Sequence, residues 1–112
     1  MDADFILELF AGLGPVSVRR MFGGAGICAD GTMFGLVADG VIYLKADEHT
    51  IPDFEREGLK PFMYTAKGRK SVALPYWRMP DRLYDEPDEL SQWARTSVMV
   101  AQRTPRKRRR RY

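Results

Sequence analysis

Between positions 3 and 13 the apolar residues are Phe5, Ile6, Leu9, Phe10 and Leu13, a three-and-four spacing that places them along one side of a helix. Asp2 or Asp4 stands at the start and Gly14-Pro15 follows as a stop, so a short amphipathic helix is predicted. The pattern then changes. In VSVRRMFGGAGICADGTMFGLVADGVIYLKAD, apolar runs of strand length are separated by Asp30-Gly31 and Asp39-Gly40, pairs that support the left-handed angles of tight hairpin turns. An antiparallel meander is expected. In its middle strand Phe34, Leu36 and Ala38 share one face, and Met33, Gly35 and Val37 share the other. Neither face is polar, which predicts helices over one face and a second subunit or a curl of the sheet over the other.

The segment DEHTIPDFEREG predicts a short helix with Thr50 as cap, Pro52 in its first turn and Gly58 at its end. KPFMYTAKGRKSVALPYW follows as a second hairpin, with Phe62 to Thr65 and Ser71 to Trp77 flanking Lys67-Gly68. Pro75 has no amide hydrogen, which favours an edge or irregular final strand. A last helix is predicted from about Asp85 to Pro87 until Thr104-Pro105, with Leu90, Trp93, Ala94, Ser97, Val98 and Ala101 as its packing stripe.

At 112 residues the chain fits one domain with a modest core. The net charge of +3 hides a division, because residues 103–112 carry seven positive side chains and no negative one. Residues 1–102 hold 11 basic and 15 acidic side chains, a net of −4. The expected organisation is a folded body, 1–102, followed by a basic tail, 103–112, that is disordered when unbound. Such a body is not one broadly wrapped by nucleic acid. A single cysteine, no apolar run of about 20 residues and no basic segment ahead of the first hydrophobic residues point to a cytoplasmic protein without a membrane span.

RMFGGAG, residues 20–26, resembles a phosphate-binding loop at first reading. A dinucleotide fingerprint needs GxGxxG opening a helix, so that free amides meet the pyrophosphate. Here Ala29 occupies the third glycine position and an Asp-Gly turn follows, so these glycines are read as permitting a bulge, a twist or close backbone packing.

One ordered set of residues carries a family resemblance. Arg20, Met21, Phe22, Gly23, Gly24, Gly26 and Ile27 come first, then Gly31, Met33 and Phe34, then Tyr43, Leu44 and Lys45. Pro61, Phe62, Tyr64, Lys67-Gly68 and Pro75-Tyr76-Trp77 follow, with Leu90 and Trp93 on the late helix. Together they resemble the amino-terminal domain of the TfoX/Sxy family over roughly residues 4–101. The resemblance implies an α/β (α+β) two-layer sandwich of antiparallel sheet and helices, similar to secretion-chaperone-like and YjbR-like domains. It also implies regulation of natural competence and DNA transformation alongside the cyclic-AMP receptor protein, with no enzymatic activity. The two-domain regulators carry a second helical domain where this chain has its arginine-rich stretch, so the fold transfers more securely than the role.

No catalytic, cofactor or metal residue is assigned. His49 and Cys28 are single, so they suggest neither a zinc site nor a Cys-His nucleophile; His49 is read as a surface residue and Cys28 as a core filler. The carboxylates of DEPDE, 85–89, precede an apolar-periodic helix and are read as interacting with its dipole rather than as a magnesium site. Two basic groups are candidates for contact. Arg106, Lys107, Arg108, Arg109, Arg110 and Arg111 would bind DNA without sequence preference and with strong salt dependence. Arg19, Arg20, Lys67, Arg69 and Lys70 would meet an anion or an acidic partner if the second hairpin approaches the first strand. Tyr64, Tyr76 and Trp77 are read as packing under a helix more readily than as stacking on bases.

The sequence thus predicts a regulatory or interaction domain, with a transcriptional co-regulator such as a cyclic-AMP receptor-like protein and non-specific DNA as partners. The alternatives are a homodimeric interaction module without DNA binding, and a small-molecule-binding protein or enzyme using Arg19, Arg20 and Lys67.

Overall fold

A computed structural model describes residues 1–21 and 23–103. The arginine run 106–111 and Phe22 lie outside the described residues. Helix α1, Ala3–Leu9, starts at Asp2, whose carboxylate accepts the Phe5 amide at 2.8 Å. The predicted helix to position 13 is shorter than expected: after Phe10 the chain tightens into a 3-10 turn, Ala11–Leu13. Periodicity alone does not distinguish these two windings over one turn.

Strands β1 (Ser17–Met21), β2 (Gly24–Ala29), β3 (Thr32–Ala38) and β4 (Val41–Lys45) form the predicted meander. Asp30 and Gly31 have φ of 52° and 76°, and Asp39 and Gly40 have 51° and 74°, so both Asp-Gly pairs adopt the left-handed turns that their sequence favours. After helix α2, Ile51–Arg56, the chain makes β5 (Pro61–Thr65) and β6 (Ser71–Arg78), a 3-10 turn (Asp81–Asp85) and helix α3 (Pro87–Arg103). The six strands form one antiparallel sheet in the order β1-β2-β3-β4-β6-β5.

Of the two expectations for Pro75, an edge or an irregular strand, that order corrects the first, while the second holds. The strand bearing it, β6, is internal, and β5 is the edge. Pro75 is tolerated because it sits one residue beyond the Lys45–Tyr76 pair that ends the β4 ladder. Its carbonyl still accepts the Ala46 amide at 3.0 Å, while the register on the β5 side shifts in the same stretch, between Pro61 and Met63. Thr50 stands at the predicted N-cap position, but its side chain makes no capping bond. It has helical backbone angles, and its hydroxyl accepts the Asp47 amide at 3.0 Å, while the Asp47 carboxylate takes the amides of His49 and Thr50. Gly58 follows α2 with φ 73°, as expected.

The helices pack on one face of the sheet. Ile6 and Phe10 of the amino-terminal segment, Phe54 of α2, and Leu90 and Ala94 of α3 enclose a core with Ile27, Phe34, Val37, Ile42 and Leu44. Phe34 reaches it through a bulge: Ile27 pairs with Gly35 but Cys28 pairs with Met33, which leaves Phe34 as the extra residue. Its ring meets Phe10 edge to face at 5.6 Å. Each such fully buried side chain stabilises the fold by about 1.5 to 3 kcal/mol. On α3 the predicted stripe is present but Val100, fully buried, belongs to it, and Trp93 is only half-buried. No helix among the described residues is long and apolar enough to cross a membrane.

Candidate interaction surfaces

The glycines of RMFGGAG are scaffold. Gly24 and Ala25 are paired strand residues, opposite Met21 and Arg20 on β1, and β2 continues to Ala29 with no helix following. A Cβ at Gly24 would collide with the carbonyl oxygen of Val37, so only glycine lets β2 and β3 approach there. Two residues on, a Cβ at Gly26 would lie 2.9 Å from Met33 Sδ and 3.1 Å from Met21 Sδ, because those side chains fold over it.

The five cations singled out from sequence do not form one cluster. Arg19 and Arg20 are on β1 at one edge of the sheet, whereas Lys67, Arg69 and Lys70 lie in the β5–β6 connection at the other. As consecutive strand residues, Arg19 and Arg20 also face opposite ways. Arg20 lines a shallow cleft of about 260 Å³ with Met1, Ala3 and Ile6 on the helix side. Arg19 lies on the helix-free side, since its neighbour Val18 packs against the core.

That helix-free face has a definite composition. Residues directly opposite one another share a face, and the register runs from Arg19 through Gly26, Leu36 and Tyr43 to Arg78. Tyr43 meets Phe62 edge to face, with centroids 5.1 Å apart. Beside them Lys45 Nζ stands 5.0 Å from the centre of the Tyr76 ring, a cation–π contact. Burial pushes the Tyr76 hydroxyl pKa up, and the proximity of Cys28 adds to the rise. Trp77 faces the other way, toward Phe54 under α2.

Beyond this platform the second hairpin continues as a two-stranded ribbon. Pairing of β6 with β4 covers only Tyr76 to Arg78, whereas pairing with β5 continues to Ser71. Tyr64 lies opposite Val72 on the ribbon, and the two are 50% and 56% exposed. At the base of the tip the hydroxyls of Thr65 and Ser71 bond to each other.

The helix layer carries the opposite charge. Arg82 donates Nε and Nη2 to the two oxygens of Glu57 at 3.1 and 2.6 Å, and Nη1 and Nη2 to those of Glu89, both at 2.7 Å. Glu89 also accepts Trp93 Nε1 at 3.1 Å. The Arg82 guanidinium, with Trp93, holds the Glu89 carboxyl down at about 2, and the two carboxylates raise the Arg82 pKa in turn. These groups border a shallow groove of about 340 Å³ between α2 and α3. This hub was not singled out from sequence; the signal was Arg82 four and seven residues before Glu86 and Glu89. His49 is on the surface and Cys28 is buried. Among the described residues no group of three or more His, Cys, Asp or Glu side chains is arranged to hold a metal.

The described chain is thus a helix-backed antiparallel sheet whose polar groups are used in capping, pairing and a charged surface. The comparisons place it further: the TfoX N-terminal domain model matches residues 8–101, so the chain belongs to the TfoX/Sxy family through that domain. Protein Sxy of Escherichia coli (strain K12) is 31% identical over 94 residues, covering 84% of this chain and 44% of that protein. The chain therefore spans less than half the length of the curated relative it matches. Domains of this family are non-catalytic regulatory modules.

Proposed function

We propose that this domain acts in competence-related transcriptional regulation, in the cytoplasm, by binding a transcriptional co-regulator of the cyclic-AMP receptor type. The observation that carries the reading is the family match over residues 8–101. The further likeness to secretion-chaperone-like and YjbR-like domains belongs to the same proposal. In it, residues 1–102 form the protein-binding body, and Arg106 to Arg111 anchor the complex on duplex DNA without reading sequence.

Deletion in a naturally competent host tests the biological part, with transcription of competence genes and DNA uptake as readouts. Both fall if the reading is right; unchanged values remove it. Calorimetric titration of the host's cyclic-AMP receptor protein tests the partner. The tail is tested by fluorescence anisotropy with duplex DNA at two salt concentrations, comparing the chain with one in which residues 106–111 are all glutamine. Substitution is preferable to truncation at Gln102, because Arg103 Nη2 donates to Asp47 Oδ2 at 2.8 Å and belongs to the folded body.

A further inference from the structure

The chain's fifteen carboxylates include none in the six described strands, while Arg19, Arg20, Lys45 and Arg78 all lie in them. From Gly58 to Pro80, the segment holding both strands of the ribbon, there are five cations and no carboxylate. The acidic residues sit instead on the helices, the 3-10 turns and the connections. Charge is thus segregated by layer, and the positive layer has one face that no described helix covers.

We propose that this helix-free face is a docking platform for single-stranded nucleic acid. Three features select that occupant. The face carries partly exposed rings, Tyr43 and Phe62 in edge contact and Tyr76 with Lys45 over one side, continued by the exposed Tyr64 on the ribbon. Unpaired bases stack on such rings; in a duplex the base faces are hidden and the rings have nothing to meet. Cations flank the rings: Arg19 and Arg78 lie at the ends of one register row, four strand spacings apart, on the order of 19 Å at the usual separation of strands. A backbone crossing that row passes phosphates near both ends, and Lys67, Arg69 and Lys70 extend the positive track along the ribbon.

A second copy of the chain fits less well. Apposing two such faces brings Arg19, Lys45 and Arg78 toward their equivalents with no strand carboxylate to receive them. Asp81, in the 3-10 turn, meets Arg78 with both contacts at 3.5 Å. An acidic protein would satisfy the cations but would leave the rings without stacking partners.

The inference does not rest on the competence reading or on the arginine run, so the test uses the full chain with residues 106–111 all changed to glutamine. Anisotropy with a labelled short oligothymidylate at low salt is expected to show binding. Arg19→Gln with Arg78→Gln weakens it at least tenfold, and Tyr43→Leu at least fivefold. Circular-dichroism melts confirm that the variants are folded; since the Arg pair is exposed, it keeps the test decisive even where Tyr43→Leu unfolds the sheet. Absence of binding by the tail-neutral chain, affinity unchanged by the Arg pair, or tighter binding of a duplex of equal length overturns the platform. Equal competition by a polyglutamate peptide overturns it in favour of an acidic protein partner. Loss of duplex binding on tail neutralisation bears only on the tail, so the two readings stand or fall separately.

Discussion

Gly24 and Gly26 are two residues apart on β2 and share a face, yet a side chain would meet different neighbours at each. At Gly24 the obstacle is the Val37 carbonyl, part of a paired backbone that cannot move without disturbing β3. At Gly26 it is the far ends of Met21 and Met33, flexible thioethers that turn aside at low cost. Gly24→Ala is therefore expected to destabilise by about 1 to 3 kcal/mol, as overpacking does. Gly26→Ala costs less, and urea unfolding of both variants checks the order. Equal losses would mean that β2 and β3 can separate at Gly24. The sequence identified the glycines as structural but not which one the fold requires, because that depends on the register between β2 and β3. Thr50 has the same lesson. Its residue type suits a cap, but its hydroxyl is turned back to the Asp47 amide, while the Asp47 carboxylate takes the amides of His49 and Thr50.

At the scale of elements, hairpins were legible wherever two turn residues enforced a register, as at Asp30-Gly31 and Asp39-Gly40. The placement of β6 between β4 and β5 was not, since no local pattern states which strand returns to the interior of a sheet. The joint between α2 and α3 was also hidden. Phe54 meets the Trp93 ring edge to face at 4.9 Å, and Arg82 ties Glu57 to Glu89 above them. Because Trp93 is half-buried, Trp93→Ala is expected to cost about 2 to 3 kcal/mol, below the roughly 3 to 5 of a fully buried aromatic residue. A chemical denaturation curve measures it; a loss within 0.5 kcal/mol of zero, the range of an ordinary surface change at about that size, would mean that the joint contributes nothing.

The same joint gives the fold an acid sensitivity. The Glu89 carboxyl lies at about 2 in the fold against 4.5 in its ordinary state, so its stabilising effect is complete above the higher value and disappears as pH falls toward the lower one. Asp47, lowered chiefly by its bond from Arg103, acts in the same direction. Between about pH 6 and pH 3, the melting temperature is expected to fall more for the native chain than for Glu89→Gln, which cannot titrate there. Parallel decreases in the two proteins would show that the Arg82 bridge adds no net stability.

For the whole molecule, layer-by-layer segregation of charge matters more than the net value of +3. An average of that size suggests a mildly basic protein, whereas the chain combines an acidic helix layer, a positive sheet and an arginine run. The sequence already contained the run and the acid-free segment 58–80, but only the fold joins that segment to Arg19 and Lys45 on one face. The two proposed contacts consequently differ in their response to salt. Duplex DNA held by the six cations of the run should lose affinity with a log–log slope of about −5, from roughly −0.9 per neutralised phosphate. A single strand short enough to span only the sheet face, held by Arg19, Lys45 and Arg78 without reaching the ribbon, should give about −2, from roughly −0.7 per phosphate, and should keep that slope when the run is neutralised. Measuring both slopes on both chains separates the contacts without assuming either affinity. A steep single-strand slope that collapses on neutralising the run would assign all binding to residues 106–111; a shallow one that persists would place the single strand on the sheet, where stacking supplies the part of the affinity that salt does not remove.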